Sequence, residues 1–253
     1  MGDDSWLRSQ IGRSTPEAIT VRGRDLATEL MGKVTFTEMA FFLTAGRMPS
    51  AGETRLFDAA LVALADHGLT PSVLAARLTW TGATESLQGA VAAGLLGAGN
   101  VFLGVVEDTA RFLAEVLTDP EADGAAERAV AAEIAAGRRI PGLGHPVHKV
   151  HDPRTPRLYA VAGEAGIPTP HLDLLRAVAE AHAAASGKQL PINGAGAAGA
   201  AFADLGFPPA IVRGFALLAR TAGLVGHLAE EMADPIGPRL WLEVEHRASR
   251  TDR

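Results

Sequence analysis

The chain contains no cysteine, and this absence excludes disulfide scaffolds, thiolate nucleophiles and cysteine-ligated zinc sites. A basic surplus is also missing, because 23 Lys and Arg stand against 29 Asp and Glu, a formal net charge of -6. A nucleic-acid binder needs a basic face to neutralise phosphates, so we expect no nucleic-acid partner. Aromatic residues make up only 5% of the chain. Together with few β-branched residues, this argues against a sheet protein.

Long hydrophobic runs are absent as well. No segment reaches about 18 apolar residues without a break, and the nearest stretch, residues 195–205, consists of small residues interrupted by glycines. The acidic N-terminus lacks the apolar core of a secretory signal. We therefore expect a cytoplasmic protein with no membrane partner.

What the chain does contain is helical periodicity over 253 residues, a length that suits one large domain or two modest ones. Apolar residues recur at helical spacing and are followed by Gly or Pro stops, and a strand is expected only around residues 19–21. The predicted helices are 36–43, 54–67, 71–79, 85–96, 104–117, 125–137, 156–166, 171–186, 194–205 and 208–232. The charged residues after position 238 are expected to fray. The predicted fold class is all-α.

The densest chemistry lies in residues 141–154, PGLGHPVHKVHDPR. Its prolines and glycines predict an irregular loop that exposes backbone groups to a ligand, while its imidazoles are titratable. His145, His148 and His151 are spaced by three residues, so in a helix they would share one face and suggest a metal site. The prolines oppose such a helix, and we expect no metal here. A loop histidine taken alone is more often a surface residue.

Two helical segments carry isolated polar groups. His67 ends a predicted helix, where the macrodipole favours a protonated ring, and capping is the simpler interpretation. Arg220 lies among small apolar residues, with His227 seven positions later on the same helical face. A buried unpaired guanidinium costs several kcal/mol. Arg220 therefore has either an internal carboxylate partner or a cleft that binds an anionic ligand.

In this order the segments resemble the citrate synthase superfamily, and most closely its citryl-CoA lyase branch. The motifs that carry the resemblance are ITVRGRDLATEL, FFLTAGRMPS, ADHG, PGLGHPVHKVHDPR and LLARTAGLVGHLAEE, within a span from about Ile19 to Trp241. The resemblance implies an all-α fold with a large helical domain, residues 1–104 and 206–253, and a smaller inserted helical domain, residues 105–205. It also implies a homodimer or higher homo-oligomer whose ligands are CoA thioesters and polycarboxylates.

The resemblance also implies roles for individual residues. His67 matches the histidine that polarises the carbonyl of oxaloacetate or handles the citryl hydroxyl, and His145 matches the loop histidine that contacts the same oxygen. Arg154 and Arg220 match the arginines that pair with substrate carboxylates. CoA or acetyl-CoA enters as a substrate, with no permanently bound cofactor. The residues that would contact CoA are Pro141, Gly142, Leu143, Gly144 and, toward a phosphate, Lys149.

Two departures from the family pattern bear on catalysis. Phe102 falls where citrate synthases carry a third histidine against the thioester carbonyl, a loss that citryl-CoA lyases share. The family reads N-V-D-G where this chain has Asn193, Gly194 and Ala195, so Ala195 stands at the position of the general base. A positioned base contributes about 10²–10⁴-fold, and we expect enolate formation to be slow. Asp204, nine residues on, is too distant to substitute.

The expected function is that of a citryl-CoA lyase or citrate synthase-like protein, which cleaves or forms the C–C bond between acetyl-CoA and a keto acid such as oxaloacetate. The alternative is a catalytically weakened homologue that binds CoA thioesters or polycarboxylates without efficient turnover. A purely structural helical protein is the weakest interpretation, because it leaves the histidine- and arginine-rich loop without a reason.

Overall fold

A computed structural model describes residues 9–250, and this part of the chain is helical apart from a small N-terminal sheet. The sheet has three short antiparallel strands, β1 (Gly12–Ser14), β2 (Ile19–Val21) and β3 (Arg24–Asp25), in the order β1-β2-β3. Gly12 pairs with Val21 across β1 and β2. The all-α prediction is confirmed, and the predicted strand is the central one of the three.

The helices follow one another with short connections. They are α1 (Phe36–Ala45), α2 (Ala51–Ala65), α3 (Pro71–Gly82), α4 (Leu87–Ala98), α5 (Val105–Leu117), α6 (Ala125–Ala135), α7 (Arg154–Ala165), α8 (Pro170–Ser186), α9 (Gly194–Asp204), α10 (Pro209–Ala233) and α11 (Gly237–Ser249). Two π-helical segments, Leu26–Leu30 and Gly99–Gly104, lie before α1 and α5. Local sequence accounts for several helix starts: Thr35 and Ser50 begin capping boxes at α1 and α2.

The helical prediction is wrong at several helix ends. α2 runs from Ala51 to Ala65 and not from 54 to 67, because the capping box of Ser50 and Glu53 begins it earlier, and His67 follows the helix instead of ending it. The C-terminal residues that we expected to fray form α11, because the carboxylate of Glu231 accepts the N–H groups of Ile236 and Gly237 and holds its first turn. The helix expected from position 156 begins at Arg154, since the side chain of Asp152 accepts the N–H of Arg154. A side-chain acceptor at a helix start replaces the missing intrahelical bond.

The main apolar core lies between α2, α5, α9 and α10 and contains a cluster of phenylalanine rings. Their centroids are 4.6 to 5.7 Å apart, and most pairs are edge to face, the arrangement that aromatic quadrupoles favour. The rings belong to Phe41, Phe57, Phe202, Phe207 and Phe215. Residues from both predicted domain ranges join this core, and the division at positions 104 and 205 stays a prediction.

Two helical stretches, Leu87–Leu117 and Pro209–Ala233, are long and apolar enough to cross a membrane by length and composition. This differs from the expectation of no such run, because a mean hydropathy taken over 18 residues tolerates the small residues and the occasional charge that break an unbroken apolar run. Core helices pass the same test, and α10 packs Val212 and Phe215 into the main core. The absence of a membrane partner therefore stays a prediction.

Candidate active site

Three histidine rings meet between the turn after α2 and the loop of residues 141–154. The ring centroid of His67 lies 5.2 Å from that of His145 and 5.5 Å from that of His148. His145 and His148 stack with centroids 4.6 Å apart and planes inclined by 29°. The structure thus brings the two predicted catalytic histidines together. It adds His148, which the sequence singled out only through its three-residue spacing from His145.

The loop backbone determines which nitrogen of His145 carries the proton. The N–H groups of Val147 and His148 donate to Nδ1 of His145 at 3.1 and 2.9 Å. A neutral imidazole has one N–H, so Nε2 holds it and can donate to a ligand oxygen. Burial lowers the pKa of His145, and the neighbouring His148 lowers it further. The ring is therefore neutral near pH 7 and acts as a hydrogen-bond donor.

The three histidines satisfy one condition for a metal site, because a nitrogen from each lies within 4.8 Å of the others. One feature opposes metal binding. A ligating imidazole normally uses its second nitrogen as an N–H donor, whereas Nδ1 of His145 accepts two hydrogen bonds. His151 lies exposed, and the expectation of no metal stays a prediction.

Arg154, at the start of α7, turns back over the loop. Its Nε and Nη2 donate to the carboxylate of Asp152 at 3.0 and 2.7 Å, and its Nη1 donates to the carbonyl of Ala63 at 3.2 Å. The bond to the carbonyl of Ala63 ties the loop to α2, the helix that precedes His67. Burial would raise the pKa of Asp152, but Arg154 and the N–H of Gly194 outweigh it and hold the pKa well below its usual range.

Arg220 is buried on α10, with 6% of its surface exposed. Its Nε has no hydrogen-bond partner among residues 9–250, and none of the ion pairs within 4.0 Å in this part of the chain includes it. Burial lowers the pKa of the guanidinium; Asp66 acts to raise it and Arg154 to lower it. Arg220 therefore lies within electrostatic range of both Arg154 and the residue beside His67. No carboxylate in the described part of the chain pairs with Arg220, which favours the anionic-ligand interpretation.

A carboxylate that was not predicted as a site residue supports His67. Oδ1 of Asp66 lies 2.8 Å from Nε2 of His227, and Oδ2 accepts the N–H of Gly68 at 2.9 Å. Burial would raise the pKa of Asp66, but the bonds from Gly68 and His227 keep it below its usual value. The bond from Gly68 to Asp66 spans His67 and holds the turn in which His67 lies, while the bond to His227 ties that turn to α10. The signal for Asp66 in the sequence is limited to its place in the ADHG motif, since its partner His227 lies 161 residues away.

The backbone of the 141–144 stretch is used within the fold, which corrects the expectation that its polar groups are free. Gly142 O accepts the N–H of Asn193 at 2.9 Å, and Gly144 N donates to Pro191 O at 2.7 Å. The Asn193 side chain donates to Gly144 O at 2.8 Å. Lys149 is exposed on the same loop. The CoA contacts expected of this stretch and of Lys149 stay predictions.

The other singled-out positions are Ala195 and Asp204 on α9 and Phe102 in the segment before α5. Ala195 is half-buried in its first turn, next to Gly194, which packs against the guanidinium of Arg154. Asp204 ends the same helix, about 14 Å away along its axis, and accepts the N–H groups that begin α8. Asp204 therefore supports α8 and does not approach the histidines. Phe102 lies in the second π-helical segment with 42% of its surface exposed.

Comparison with known proteins agrees with this architecture. A family model described as citrate synthase, C-terminal domain, matches residues 49–240. The chain belongs to the citrate synthase family.

Individual relatives extend the comparison. The solved structure of citryl-CoA lyase from Hydrogenobacter thermophilus is similar with a TM-score of 0.83 and 33% identity, covering 90% of this chain and 87% of that one. ATP citrate lyase from Methanothrix soehngenii, solved with citrate and coenzyme A, gives a TM-score of 0.78 and 25% identity over 89% of this chain and 39% of that one. The citrate synthase-like protein oryE from Aspergillus oryzae (strain ATCC 42149 / RIB 40) is 32% identical over 117 residues, 44% of this chain and 26% of that protein. The chain thus spans about a quarter of the fungal relative's length.

Proposed function

We propose that this protein acts on a CoA thioester of the citryl type, cleaving or forming the C–C bond between acetyl-CoA and a keto acid such as oxaloacetate. The observation that supports this most is the buried guanidinium of Arg220, which pairs with no carboxylate among residues 9–250 and lies near Arg154. An unpaired buried charge is costly. A substrate carboxylate would offset that cost through bidentate pairing.

The histidines supply the remaining chemistry in this proposal. His145 donates its Nε2–H to the oxygen on the carbon where the bond breaks or forms, and His67 approaches the same oxygen from the α2 side. Hydrogen bonds aimed at an oxygen where charge develops stabilise the transition state. CoA is a substrate here, and we place it along residues 141–149.

A direct assay tests the proposal. We expect purified protein to convert citryl-CoA into acetyl-CoA and oxaloacetate, measured by chromatography of the CoA esters. A rate of about 1–10³ per second, typical of enzymes, would show that a base other than residue 195 serves the reaction. Arg220→Met should lose citrate affinity by about 10-fold or more, since hydrogen bonds to charged groups contribute about 1.5–3 kcal/mol. Arg213→Met, on the same helix but ion-paired with Glu107, is the matched control and should keep it. The absence of both turnover and ligand binding would overturn the proposal.

A second candidate function is favoured by Ala195, an apolar side chain where the resemblance places a base. In this alternative the protein binds CoA thioesters or polycarboxylates and turns them over poorly. Titration calorimetry with citrate and with CoA separates the two functions. Binding without cleavage selects the alternative, and binding with cleavage selects the enzyme.

We also propose a homo-oligomer, a homodimer or larger, in the cytoplasm. The segment from α4 into α5 supports self-association, because Leu96 and Val101 are 81% and 77% exposed and large exposed apolar groups mark interaction surfaces. Light scattering of the purified protein tests the oligomeric state, with Leu96→Glu expected to shift it toward monomer. Fractionation of cells that produce the chain tests its location.

A further inference from the structure

The carboxylates near the histidine cluster are already engaged within the fold. Asp66 accepts from His227 and Gly68. Asp152, 1% exposed, accepts from Arg154 and from the N–H of Gly194 at 2.7 and 2.8 Å. Over residues 9–250, no carboxylate oxygen belongs to the group of ring nitrogens that lie within 4.8 Å of one another. The proton acceptor that this cluster itself offers is therefore an imidazole.

The imidazoles differ in what their nitrogens can do. Nδ1 of His145 is occupied by two backbone N–H groups, so its Nε2 carries the proton and the ring is a donor. The ring of His148 is half-buried and forms no hydrogen bond within the described residues. Only its backbone N–H is used, as one of the two donors to His145. The same turn therefore holds a donating ring and an unoccupied ring, stacked with their planes inclined by 29°.

We propose that His148 is the catalytic residue that transfers the proton in this reaction, an inference that rests on the proposed function. In the cleavage direction, neutral His148 accepts the proton of the citryl hydroxyl. The bond between the hydroxyl-bearing carbon and the methylene carbon of the thioester breaks, leaving a keto acid and the thioester enolate. The imidazolium then returns the same proton to that carbon, which becomes the methyl group of acetyl-CoA. The ring ends neutral, and no further donor is needed.

One imidazole can serve both steps because the hydroxyl oxygen and the methylene carbon are attached to the same carbon atom. His145 holds that oxygen through Nε2–H, and its stacked neighbour lies 4.6 Å away, centroid to centroid. This arrangement gives a role to a histidine that the family resemblance leaves unassigned. It also supplies a proton acceptor in a chain that has Ala195 at the base position.

The test compares His148→Gln with His151→Gln, an identical change at an exposed residue of the same loop. The readouts are citryl-CoA cleavage, deuterium uptake into the acetyl-CoA methyl group in D₂O with oxaloacetate present, and citrate affinity by calorimetry. We expect His148→Gln to lower cleavage and exchange by about 10²–10⁴-fold while citrate affinity and circular dichroism stay unchanged. His151→Gln should behave as wild type. In His148→Ala, added imidazole should restore part of the exchange.

The other outcomes overturn the proposal in distinguishable ways. If wild type cleaves citryl-CoA and His148→Gln does so equally well, the proposal fails and the proposed function stands. If His67→Gln removes exchange while His148→Gln does not, the proton belongs to His67. If wild type binds citrate but neither cleaves nor exchanges, the proposal and the enzymatic function fail together, and the binding function remains.

Discussion

Gly142 and Gly196 lie backbone against backbone, so close that a Cβ on Gly196 would collide with the Cα of Gly142. Gly142 also has a φ of 85°, a conformation that favours glycine. The contact presses the histidine loop onto the first turn of α9. Together with the bond from Asn193 N to Gly142 O at 2.9 Å, it determines where the loop, and with it His145, stands.

Gly196→Ala should therefore destabilise the protein by about 1–3 kcal/mol, the usual cost of adding a methyl group to a packed contact. It should also weaken citrate binding, because the loop must shift. Gly163→Ala is the matched control: Gly163 is exposed within α7 and its Cβ would meet nothing within 4 Å. That change should stabilise by up to about 1 kcal/mol through helix propensity. Urea unfolding measures both, and equal effects would contradict the prediction.

The start of α11 depends on a buried ion pair. Arg77 and Glu231 lie 2.9 Å apart with 2% and 1% of their side chains exposed. Breaking a buried pair leaves an uncompensated charge and costs about 3–5 kcal/mol. We expect the low end of that range for Glu231→Gln, since Glu230 still pairs with Arg77. Thermal or urea unfolding measures the loss.

The control for this change is an exposed pair on α11 itself. Arg247 and Glu243 lie 2.6 Å apart with 76% and 55% of their side chains exposed. Exposed pairs of this kind contribute about 0.3–0.5 kcal/mol, so Glu243→Gln should change stability little. A loss as large as that of Glu231→Gln would show that burial is not the cause.

Asp152 makes stability depend on pH in the acid range. Its pKa is lowered in the fold from the ordinary 3.8, so on acidification the unfolded chain takes up the proton first. The contribution is fully present above about pH 4 and is lost as the pH falls toward the folded-state pKa. Asp152→Asn should be less stable at neutral pH but lose less between about pH 5 and pH 3. Asp123→Asn, at an exposed turn position, should keep the wild-type slope, and equal slopes in all three proteins would contradict the assignment.

The sequence predicts those features of the fold that are caused by neighbouring residues, and it does not predict those caused by contacts between distant residues. Helix positions follow from local periodicity and caps, such as the boxes that begin at Thr35 and Ser50. α11 was missed because its first turn is held by Glu231, on another helix. No pattern within residues 237–249 shows that contact.

The same distinction applies to the site. His67 and His145 can be recognised from their motifs, but the sequence does not show that their rings lie side by side. That proximity depends on a long-range hydrogen bond from Arg154 to the carbonyl of Ala63, 91 residues away. Whether Arg220 has an internal carboxylate partner cannot be decided from its neighbours in the sequence, since a partner could come from any helix. The stack of His148 on His145 follows from the turn that directs two N–H groups at Nδ1, a conformation that spacing alone does not specify.

A carboxylate at position 195 should recover the proton transfer that His148→Gln removes. Residue 195 is in the first turn of α9, where the helix dipole keeps an aspartate ionised and able to accept a proton. In the His148→Gln background, Ala195→Asp should raise deuterium exchange of acetyl-CoA by about 10²-fold. Ala210→Asp is the matched control, because it places the same charge in the first turn of α10 at an exposed position and should leave exchange unchanged. Citrate affinity is measured in parallel, since Arg154 lies against the adjacent Gly194 and could be drawn to the new carboxylate. If affinity holds and exchange does not rise, residue 195 does not face the reacting carbon, and the assignment of the lost base to Ala195 is wrong.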